Sequence, residues 1–292
     1  MTKMESSARN QPAIDAGNRT PLSSISLTLV MALACGVAAA NIYYNQPMLG
    51  IIEAAFPGQA AIAGMVPTAT QLGFAVGLLL LVPLGDRIDR RRLILLQFAG
   101  LALSLVGAAV APTAYSLVAA SVLVGLTSSV AQQIVPFAAE LAAPSRRGAA
   151  IGTVMSGLLC GILLGRALAG VVGDHYGWRS MFWLGLLLTI ATCALLAGVL
   201  PKSHPRTRAA YGALLKSLVS LWREEPTLRR ATIIQACLFG SFSALWTILA
   251  LQLDERYHLS AEIAGLFGIV ARSASCSRRS LVRSRTAGVP MR

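Results

Sequence analysis

The sequence has few charged residues, and this scarcity excludes most water-soluble folds. Only 13% of its 292 residues are Asp, Glu, Lys or Arg, whereas 55% are hydrophobic. A globular chain of this length needs more polar surface than that to remain in water. The composition therefore indicates lipid as the solvent and predicts a polytopic membrane protein.

Acidic residues are especially scarce, with 12 against 25 basic ones, which gives a net charge of +13. Such an excess is compatible with nucleic-acid binding only if a folded domain presents a basic face. Here the basic residues lie in short stretches between long apolar segments, so no nucleic-acid partner is predicted. We interpret the excess as a determinant of membrane topology.

Residues that build metal and catalytic sites are few and dispersed. The five cysteines and three histidines show no spacing typical of a metal site or a disulfide framework. The apolar segments contain no HExxH sequence, no paired carboxylates and no Ser/His/Asp set, and the chain has no GxxxxGK loop. We therefore expect no metal, no cofactor, no enzymatic activity and no direct drive by ATP.

Long apolar segments make up most of the chain. A bilayer core of roughly 30 Å requires about 20 apolar residues of helix. Seven segments meet this requirement, and an eighth begins near Ala261 but loses its apolar character after Ala271. The predicted spans are 24–47, 61–83, 93–111, 114–139, 149–172, 179–200 and 229–252.

The distribution of lysine and arginine predicts the direction of these helices, because cytoplasmic loops carry an excess of both. Basic residues occur in the N-terminal tail, in the second and fourth loops and in the connection after the sixth span, whereas the alternate loops contain only Arg179 and Arg256. We expect a multi-pass protein of the inner (plasma) membrane with a cytoplasmic N-terminus. Six helices, a long cytoplasmic linker and a seventh helix that starts a second set follow in order.

This topology divides the chain into five segments. The linker includes an amphipathic part near 211–222 that suits the membrane surface. The last segment is rich in Arg and Ser and unlike the residues before it, so a reading-frame shift or truncation is our hypothesis and a genuine short variant is the alternative. The segments are 1–23 (cytoplasmic tail), 24–200 (six-helix half), 201–228 (cytoplasmic linker), 229–271 (seventh helix and start of the eighth) and 272–292 (aberrant tail).

Short internal repeats accompany the helices. Gly85-Asp86 ends the second span and Gly173-Asp174 ends the fifth on the opposite side, as expected of three-helix units related by inversion. Ile62-Ala63-Gly64 recurs as Ile263-Ala264-Gly265, as expected of a parallel repeat of two halves. Each match is short, but together with the spacing of six helices and a linker they indicate a transporter architecture.

The loop after the second span, residues 84–92, reads LGDRIDRRR. It resembles the signature loop of the major facilitator superfamily, which is usually written GxLaDrxGrk, and Leu84 matches that pattern together with the gating residues named below. Val82 and Asp89 stand where the outer glycines are expected, which predicts a turn that is looser or differently closed. We interpret the loop as a gate. A carboxylate held at a helix end beside guanidinium groups pairs with charges and helix N-termini of the other half in one conformation and releases them in another. A purely topogenic loop is the alternative. The predicted gating residues are Gly85, Asp86, Arg87, Arg90 and Arg91.

A second resemblance lies in the fifth span, where three glycines keep the spacing of the family's antiporter motif and a fourth follows. Small residues allow close helix packing, so we expect these glycines at an interface that moves during transport or, alternatively, in a passive packing face. Arg166 replaces the motif's proline, Ala169 replaces a glycine, and Ser121 stands where the fourth span of the family often has an arginine. The four glycines are Gly152, Gly161, Gly165 and Gly170.

Polar side chains inside the spans form the predicted cargo site, because in lipid such groups must face protein or water. A guanidinium within a span costs roughly 2.5–3.5 kcal/mol on insertion scales. We therefore expect Arg166 to face a central cavity and attract an anionic or polar group of the cargo; snorkelling, or pairing with Glu140 or Asp174, is the alternative. Asn41, Tyr44 and Asn45 share a face of the first helix, with Tyr43 and Gln46 alongside. The predicted cavity residues are Asn41, Tyr44, Asn45, Gln71, Gln132 and Arg166.

The resemblance implies an all-α membrane protein with a six-helix N-terminal bundle of the major facilitator type and an incomplete second bundle. In that fold the first and fourth helices line the cavity, which implies cargo contact for Asn41, Asn45 and Gln132, with interhelical hydrogen bonding as the alternative. The implied function is secondary transport of small molecules, by efflux or antiport through alternating access. The transport is either ion-coupled, with a proton as the candidate coupling ion, or facilitative. The alternative is a non-transporting remnant of such a transporter. A membrane-embedded enzyme and a seven-helix receptor fit the motifs less well.

Reporter fusions test the predicted topology. A fusion at Arg90 is expected to report the cytoplasm and a fusion at Ala55 the opposite side, because an apolar helix separates them and arginines remain on the inner face. Activity of a reporter that works in only one compartment measures this difference. The same compartment for both fusions would contradict the topology.

Overall fold

The computed structural model describes residues 24–203 and 210–257, and every regular element in these ranges is a helix, which confirms the predicted all-α fold. The tail 1–23, the start of the eighth helix and the segment 272–292 lie outside the described residues. The helices are α1 Ser24–Tyr43, α2 Leu49–Ala54, α3 Ala60–Ala63, α4 Val66–Leu84, α5 Arg90–Ala109, α6 Ala114–Ser128, α7 Val130–Leu141, α8 Arg147–Tyr176, α9 Trp178–Val199, α10 Tyr211–Glu224 and α11 Pro226–Tyr257.

Six segments of the described chain are helical, long and apolar enough to cross a membrane, and they coincide with the first six predicted spans. The second combines α3 with α4, and the fourth combines α6 with α7. The seventh predicted span lies within α11, and its passage through the membrane stays a prediction. The six spans are Ile25–Tyr43, Ala60–Leu84, Arg90–Ala109, Ala114–Leu141, Pro144–Tyr176 and Trp178–Val199.

Helix ends follow local sequence signals. Thr113 and Ser116 form a capping box at the start of α6, with side chain and backbone bonded reciprocally. Gly177 separates α8 from α9 with φ 80°, a left-handed conformation that favours glycine and reverses the chain. These signals fix where the apolar helices turn back into the bundle.

Helix pairing has the symmetry of an inverted repeat. Helix α1 packs along α8 and α4 packs along α6 in the two most extensive interfaces, while α5 packs against α9. Exchanging the first three spans with the last three converts one of the two large interfaces into the other. The pairing is therefore the one that two inverted three-helix units require.

Small residues bring the backbones of α1 and α8 into direct contact. A Cβ added to Gly157 or Gly161 would collide with backbone atoms of α1, which cannot rotate away as a side chain can. Gly165 continues the contact one turn later, and Gly170 is buried in the same helix. The contacting pairs are Gly157 with Ala32, Gly161 with Gly36 and Gly165 with Ala40.

Gly152 does not share this packing face, contrary to the expectation from the antiporter motif. It is exposed, and a Cβ added there would meet no heavy atom within 4 Å. The reason is helical geometry: nine residues before Gly161 is about two and a half turns, which directs the position to the opposite side of α8. Gly157, about one turn before Gly161, takes its place in the interface.

The symmetry-related interface between α4 and α6 uses glycines that the sequence motifs did not single out. A Cβ on Gly73 would collide with the backbone of Val122, and one on Gly125 with the carbonyl of Thr70. Gly77 lies one turn beyond Gly73 and approaches the carbonyl of Leu126. Both large interfaces therefore depend on a pair of glycines one turn apart that face a glycine-containing helix.

Buried apolar side chains fill the bundle in two clusters, and α1 contributes to both. One cluster contains Met31, Phe98 and Phe137, and the other contains Tyr44 and Trp178. The polar residues near the end of α1 are therefore enclosed by apolar packing.

A pair of glycine substitutions tests the α1–α8 contact. Gly161→Ala is expected to lower the stability of the folded protein by roughly 1–3 kcal/mol, because the added methyl overlaps backbone atoms. Gly152→Ala, the matched control in the same helix, is expected to be neutral or to stabilise by up to about 1 kcal/mol through helix propensity. Thermal unfolding of the purified protein in detergent, followed by circular dichroism, measures both. Equal melting temperatures for the two variants would contradict the close packing.

Candidate functional site

The end of α1 and the turn after it carry a group of buried polar side chains. Helix α1 ends at Tyr43, so Asn45 and Gln46 lie in a turn that leads to α2, and residues 41–49 are all buried. The predicted span was helical to residue 47, which would have placed Asn41 and Asn45 on one face. Because the helix ends earlier, the two asparagines contact different helices.

Asn41 is directed toward α9 and Asn45 toward α4. Asn41 Nδ2 donates to the carbonyl of Val37 at 2.8 Å and makes a longer contact of 3.5 Å with Thr189 Oγ1. Asn45 Nδ2 donates to Thr70 Oγ1 at 2.7 Å. The Oδ1 atoms of both asparagines are buried and have no hydrogen-bond partner among the described residues. Asn41 therefore connects α1 to α9, Asn45 connects the turn after α1 to α4, and each retains an unused acceptor.

Tyr44 and Gln71 occupy the same region in different ways. The ring of Tyr44 is 1% exposed and packs where α8 and α9 pass at Gly165 and Gly185, so it fills the core and does not line open space. The amide of Gln71 on α4 lies near the hydroxyl of Tyr43, but neither amide atom makes a well-formed hydrogen bond within the described residues.

Gln132 is not brought to this group, because its side chain is exposed on α7. The neighbouring Gln133 is the buried one: its Nε2 donates to Gln97 Oε1 at 2.7 Å and to the carbonyl of Leu81 at 3.1 Å. A change of one position rotates a helical side chain by about 100°, which separates the two glutamines. The structure thus assigns the buried polar role in this helix to Gln133.

Arg166 contacts the polar group through Gln46 and Tyr43 and is 3% exposed. Its Nε and Nη2 both donate to Oε1 of Gln46, at 3.2 Å and 2.7 Å. Its guanidinium carbon is 4.3 Å from the centre of the Tyr43 ring and 5.4 Å from that of Phe242. Burial of this degree disfavours snorkelling. Glu140, one of the suggested partners, pairs with Arg90.

Phe242 brings α11 to the site, so the polar group lies between the first six spans and the helix that follows the linker. The sequence motifs did not single out Phe242, Thr70 or Thr189, because an aromatic or hydroxyl side chain in an apolar span is common. These three residues are recognised only by their contacts: each contacts a polar or charged residue that sequence reasoning had placed in the site.

A second polar centre lies where α4 ends and α5 begins. Arg90, the first residue of α5, is 8% exposed. Its Nη2 is 2.7 Å from Asp86 Oδ1, its Nη1 is 3.2 Å from Glu140 Oε2, and its Nε donates to the carbonyl of Gly85 at 3.2 Å. One guanidinium therefore joins the ends of α4, α5 and α7. The Asp86 side chain remains 44% exposed and accessible to further groups.

Asp89 replaces a glycine of the signature without strain. Its φ of −57° and ψ of 116° are open to any residue, and its side chain caps α5 by accepting from the Arg91 backbone N–H at 2.9 Å. Oδ1 also accepts from the backbone N–H and hydroxyl of Ser203, each at 3.1 Å. The turn is therefore closed by hydrogen bonds of Asp89, which agrees with the expectation of a differently closed turn and not with that of a looser one.

The remaining arginines of the loop have separate roles. Arg91 Nη2 donates to the carbonyl of Ala197 at 2.6 Å and so connects α5 to the end of α9. Arg87 is exposed. Of the predicted gating residues, Gly85, Asp86 and Arg90 are thus brought together, and Arg87 and Arg91 are directed elsewhere.

Comparison with known proteins assigns the fold to a family. The family described as Major Facilitator Superfamily matches residues 31–284. The Uncharacterized transporter YgaY of Escherichia coli O157:H7 is 42% identical over 228 residues, which cover 78% of this chain and 58% of the relative. The Probable transporter SCO4007 of Streptomyces coelicolor is 36% identical over 276 residues, which cover 92% of this chain and 62% of the relative.

Among solved structures, a D-xylose-proton symporter has a TM-score of 0.61 at 18% identity, covering 85% of this chain and 66% of that protein. The chain spans about three fifths of the length of the two curated relatives. The family match covers most of the sequence, and the six spans pair as two inverted three-helix units. The chain therefore belongs to the major facilitator superfamily.

Proposed function

We propose that this chain forms the cargo-binding N-terminal bundle of a secondary transporter that carries small polar or anionic molecules across the inner (plasma) membrane. The observation that carries the proposal is Arg166, a guanidinium that is 3% exposed within a membrane span. Ionisable groups at such positions are costly and mark cargo or ion pathways in transporters. An anionic group of the cargo offsets this cost when it binds.

Other residues of the buried polar group at the end of α1 suit cargo recognition. The unused Oδ1 atoms of Asn41 and Asn45 offer acceptors in the same buried group, and Gln71 adds a second amide without a well-formed bond. Buried polar atoms without partners cost free energy unless a ligand or water pairs with them. A negative charge is therefore the first requirement for cargo at this site, and hydrogen-bond donors on the cargo would in addition pair with the two asparagine oxygens.

Alternating access requires a contact that forms in one conformation and breaks in another. The Asp86–Arg90–Glu140 cluster supplies a rigid end to the bundle, because one guanidinium joins three helices. Asp86 is the member that remains accessible, so we assign it the exchange of partners with the second set of helices. The N-terminus and this cluster lie on the cytoplasmic side in the proposal.

We propose export in exchange for a proton as the mode of transport. The glycines Gly161 and Gly165 support this mode, because they keep the spacing of the family's antiporter motif and lie where α1 and α8 touch. In the described spans, carboxylates occur near helix ends, at Glu140 and Asp174. Accumulation of a labelled anion that follows an imposed pH gradient would support proton coupling.

Counterflow into proteoliposomes tests the transport function. The purified chain is expected to exchange labelled acetate or benzoate for the unlabelled anion, and Arg166→Gln is expected to reduce exchange at least tenfold, since charge-assisted bonds contribute about 1.5–3 kcal/mol each. Arg92→Gln, at an exposed arginine of the basic loop, is the matched control and should retain exchange. Exchange at the level of empty liposomes for the unsubstituted chain would instead support the non-transporting remnant.

Separate measurements of anion binding and of counterflow test the role of Asp86. Asp86→Asn is expected to slow counterflow roughly two- to fivefold, because a partly exposed ion pair contributes about 0.4–1 kcal/mol. Equilibrium binding of the same anion should not change, since Asp86 lies outside the polar group around Arg166. Glu224→Gln, an exposed carboxylate on α10, serves as control. Equal slowing by both variants would contradict a specific role for Asp86.

A further inference from the structure

The hydrogen bond between Arg166 and Gln46 has an unusual form. Nε and Nη2 make up one edge of the guanidinium, and both donate to the same amide oxygen, Oε1 of Gln46, at 3.2 Å and 2.7 Å. In proteins, such a two-nitrogen edge typically binds a carboxylate through two parallel hydrogen bonds. Here a single neutral oxygen occupies the position of the anion.

The two aromatic rings near Arg166 are compatible with hydrogen bonding at this edge. Tyr43 and Phe242 have their ring centres 4.3 Å and 5.4 Å from the guanidinium carbon, at distances typical of cation–π contacts. A guanidinium contacts aromatic rings with its face and hydrogen-bond acceptors with its edge, so both interactions are compatible. The rings therefore position the arginine without replacing an anionic partner.

The location of Gln46 in the fold allows its side chain to rotate away from Arg166. It is 2% exposed and belongs to the turn between α1 and α2, outside the hydrogen-bond ladder of either helix. Its backbone N–H makes a long bond of 3.4 Å to the carbonyl of Tyr43. The backbone of a turn is not held by the i to i−4 hydrogen bonds of a helix, so it adjusts more readily when the side chain rotates.

We infer that Gln46 is a displaceable internal ligand of Arg166, which occupies the place of a cargo carboxylate while the site is empty. The inference rests on the proposed transport function and names its cargo class: small monocarboxylates. A carboxylate supplies two oxygens in place of one and a negative charge in place of a dipole, and charge-assisted bonds are roughly twice as strong as neutral ones. The cargo therefore displaces the amide.

The exchange between the cargo carboxylate and the Gln46 amide keeps Arg166 hydrogen-bonded when no cargo is present. A buried guanidinium without an acceptor is strongly destabilising. Gln46 satisfies the edge of Arg166 after the cargo leaves, so the empty bundle keeps its packing. Gln46 also sets selectivity, because a ligand must offer more than a neutral amide oxygen to take its place, which disfavours neutral amides and alcohols.

Equilibrium binding to the purified full chain in lipid nanodiscs, measured by isothermal titration calorimetry, tests this inference without requiring transport. The probes are formate, acetate and benzoate, with benzamide as the neutral counterpart of benzoate. Gln46→Glu places a fixed carboxylate beside Arg166 and is expected to weaken benzoate binding at least tenfold. Gln46→Met removes the competing oxygen and is expected to strengthen binding roughly two- to tenfold.

Controls separate this role from a structural one. Gln97→Glu makes the same chemical change at a buried glutamine that bonds to Ser129 and Gln133, and benzoate binding should stay within about twofold of the unsubstituted chain. Arg166→Gln should abolish binding. If Gln46→Met does not fold, Gln46→Asn, which keeps the amide but shortens its reach, is expected to change affinity in the same direction as Gln46→Met.

The outcomes are distinct from those of the counterflow test. Carboxylate binding that responds to Gln46 with opposite signs for Glu and Met supports the inference even where exchange is absent, in which case the proposed transport function alone fails. Absence of binding for all three carboxylates overturns the inference. Equal weakening by Gln46→Glu and Gln46→Met also overturns it, because that pattern indicates a structural role.

Discussion

The rest of the structure depends on the contact between the backbones of α1 and α8. Gly161 and Gly36 allow the two helices to approach until no side chain separates them. Because Arg166 follows the interface glycine Gly165 directly, this approach is what brings a guanidinium on α8 to a glutamine at the end of α1. Larger residues at the glycines would move the two partners apart, so packing and polar chemistry are parts of one arrangement.

Close backbone contact at glycines occurs a second time, between the helices related to α1 and α8 by the inverted repeat. Gly73 and Gly125 draw α4 against α6, and the hydrogen bond from Asn45 to Thr70 attaches the turn after α1 to α4. The two large interfaces thus meet at the end of α1. A residue at this point contacts helices of both three-helix units. Buried polar side chains concentrate here because they can form hydrogen bonds to either unit.

The end of α4 shows how a helix terminus is integrated into the bundle. Pro83 has no N–H to donate, and the last turn tightens so that the Gly85 N–H bonds to the carbonyl of Val82. The carbonyl of Leu81 accepts from Gln133 instead, and that of Leu80 accepts from the hydroxyl of Tyr211 at 2.6 Å. The terminus is therefore held by side chains from α7 and α10.

Sequence reasoning located the spans and the basic loop because both rest on strong, local signals: apolar length and clustered charge. It also identified Arg166, since a charge in an apolar run is conspicuous. The partners were harder to predict. Gln46 and Asn45 depend on where α1 ends, and Gln132 and Gln133 differ by one position, so a small error in helix phase exchanges buried and exposed side chains.

Asp89 illustrates a different limit of prediction from sequence. A family pattern marks it as a missing glycine, whereas its role as the cap of α5 and the partner of Ser203 depends on a residue more than 100 positions away. Distant pairs of this kind leave no trace in the spacing of a single sequence. Glycine interfaces share the difficulty, because spacing alone does not tell which face of a helix meets a neighbour, as Gly152 and Gly157 show.

The bond between Asp89 and Ser203 also fixes the point at which the connection to α11 begins. Tyr211 fixes a second point through Leu80, so the connection is fastened to the first bundle at both Ser203 and the start of α10. These two attachments shorten the free length of chain between the six spans and α11. Because less chain is free, α11 is confined to a smaller volume beside the bundle, which raises its effective concentration near Arg166.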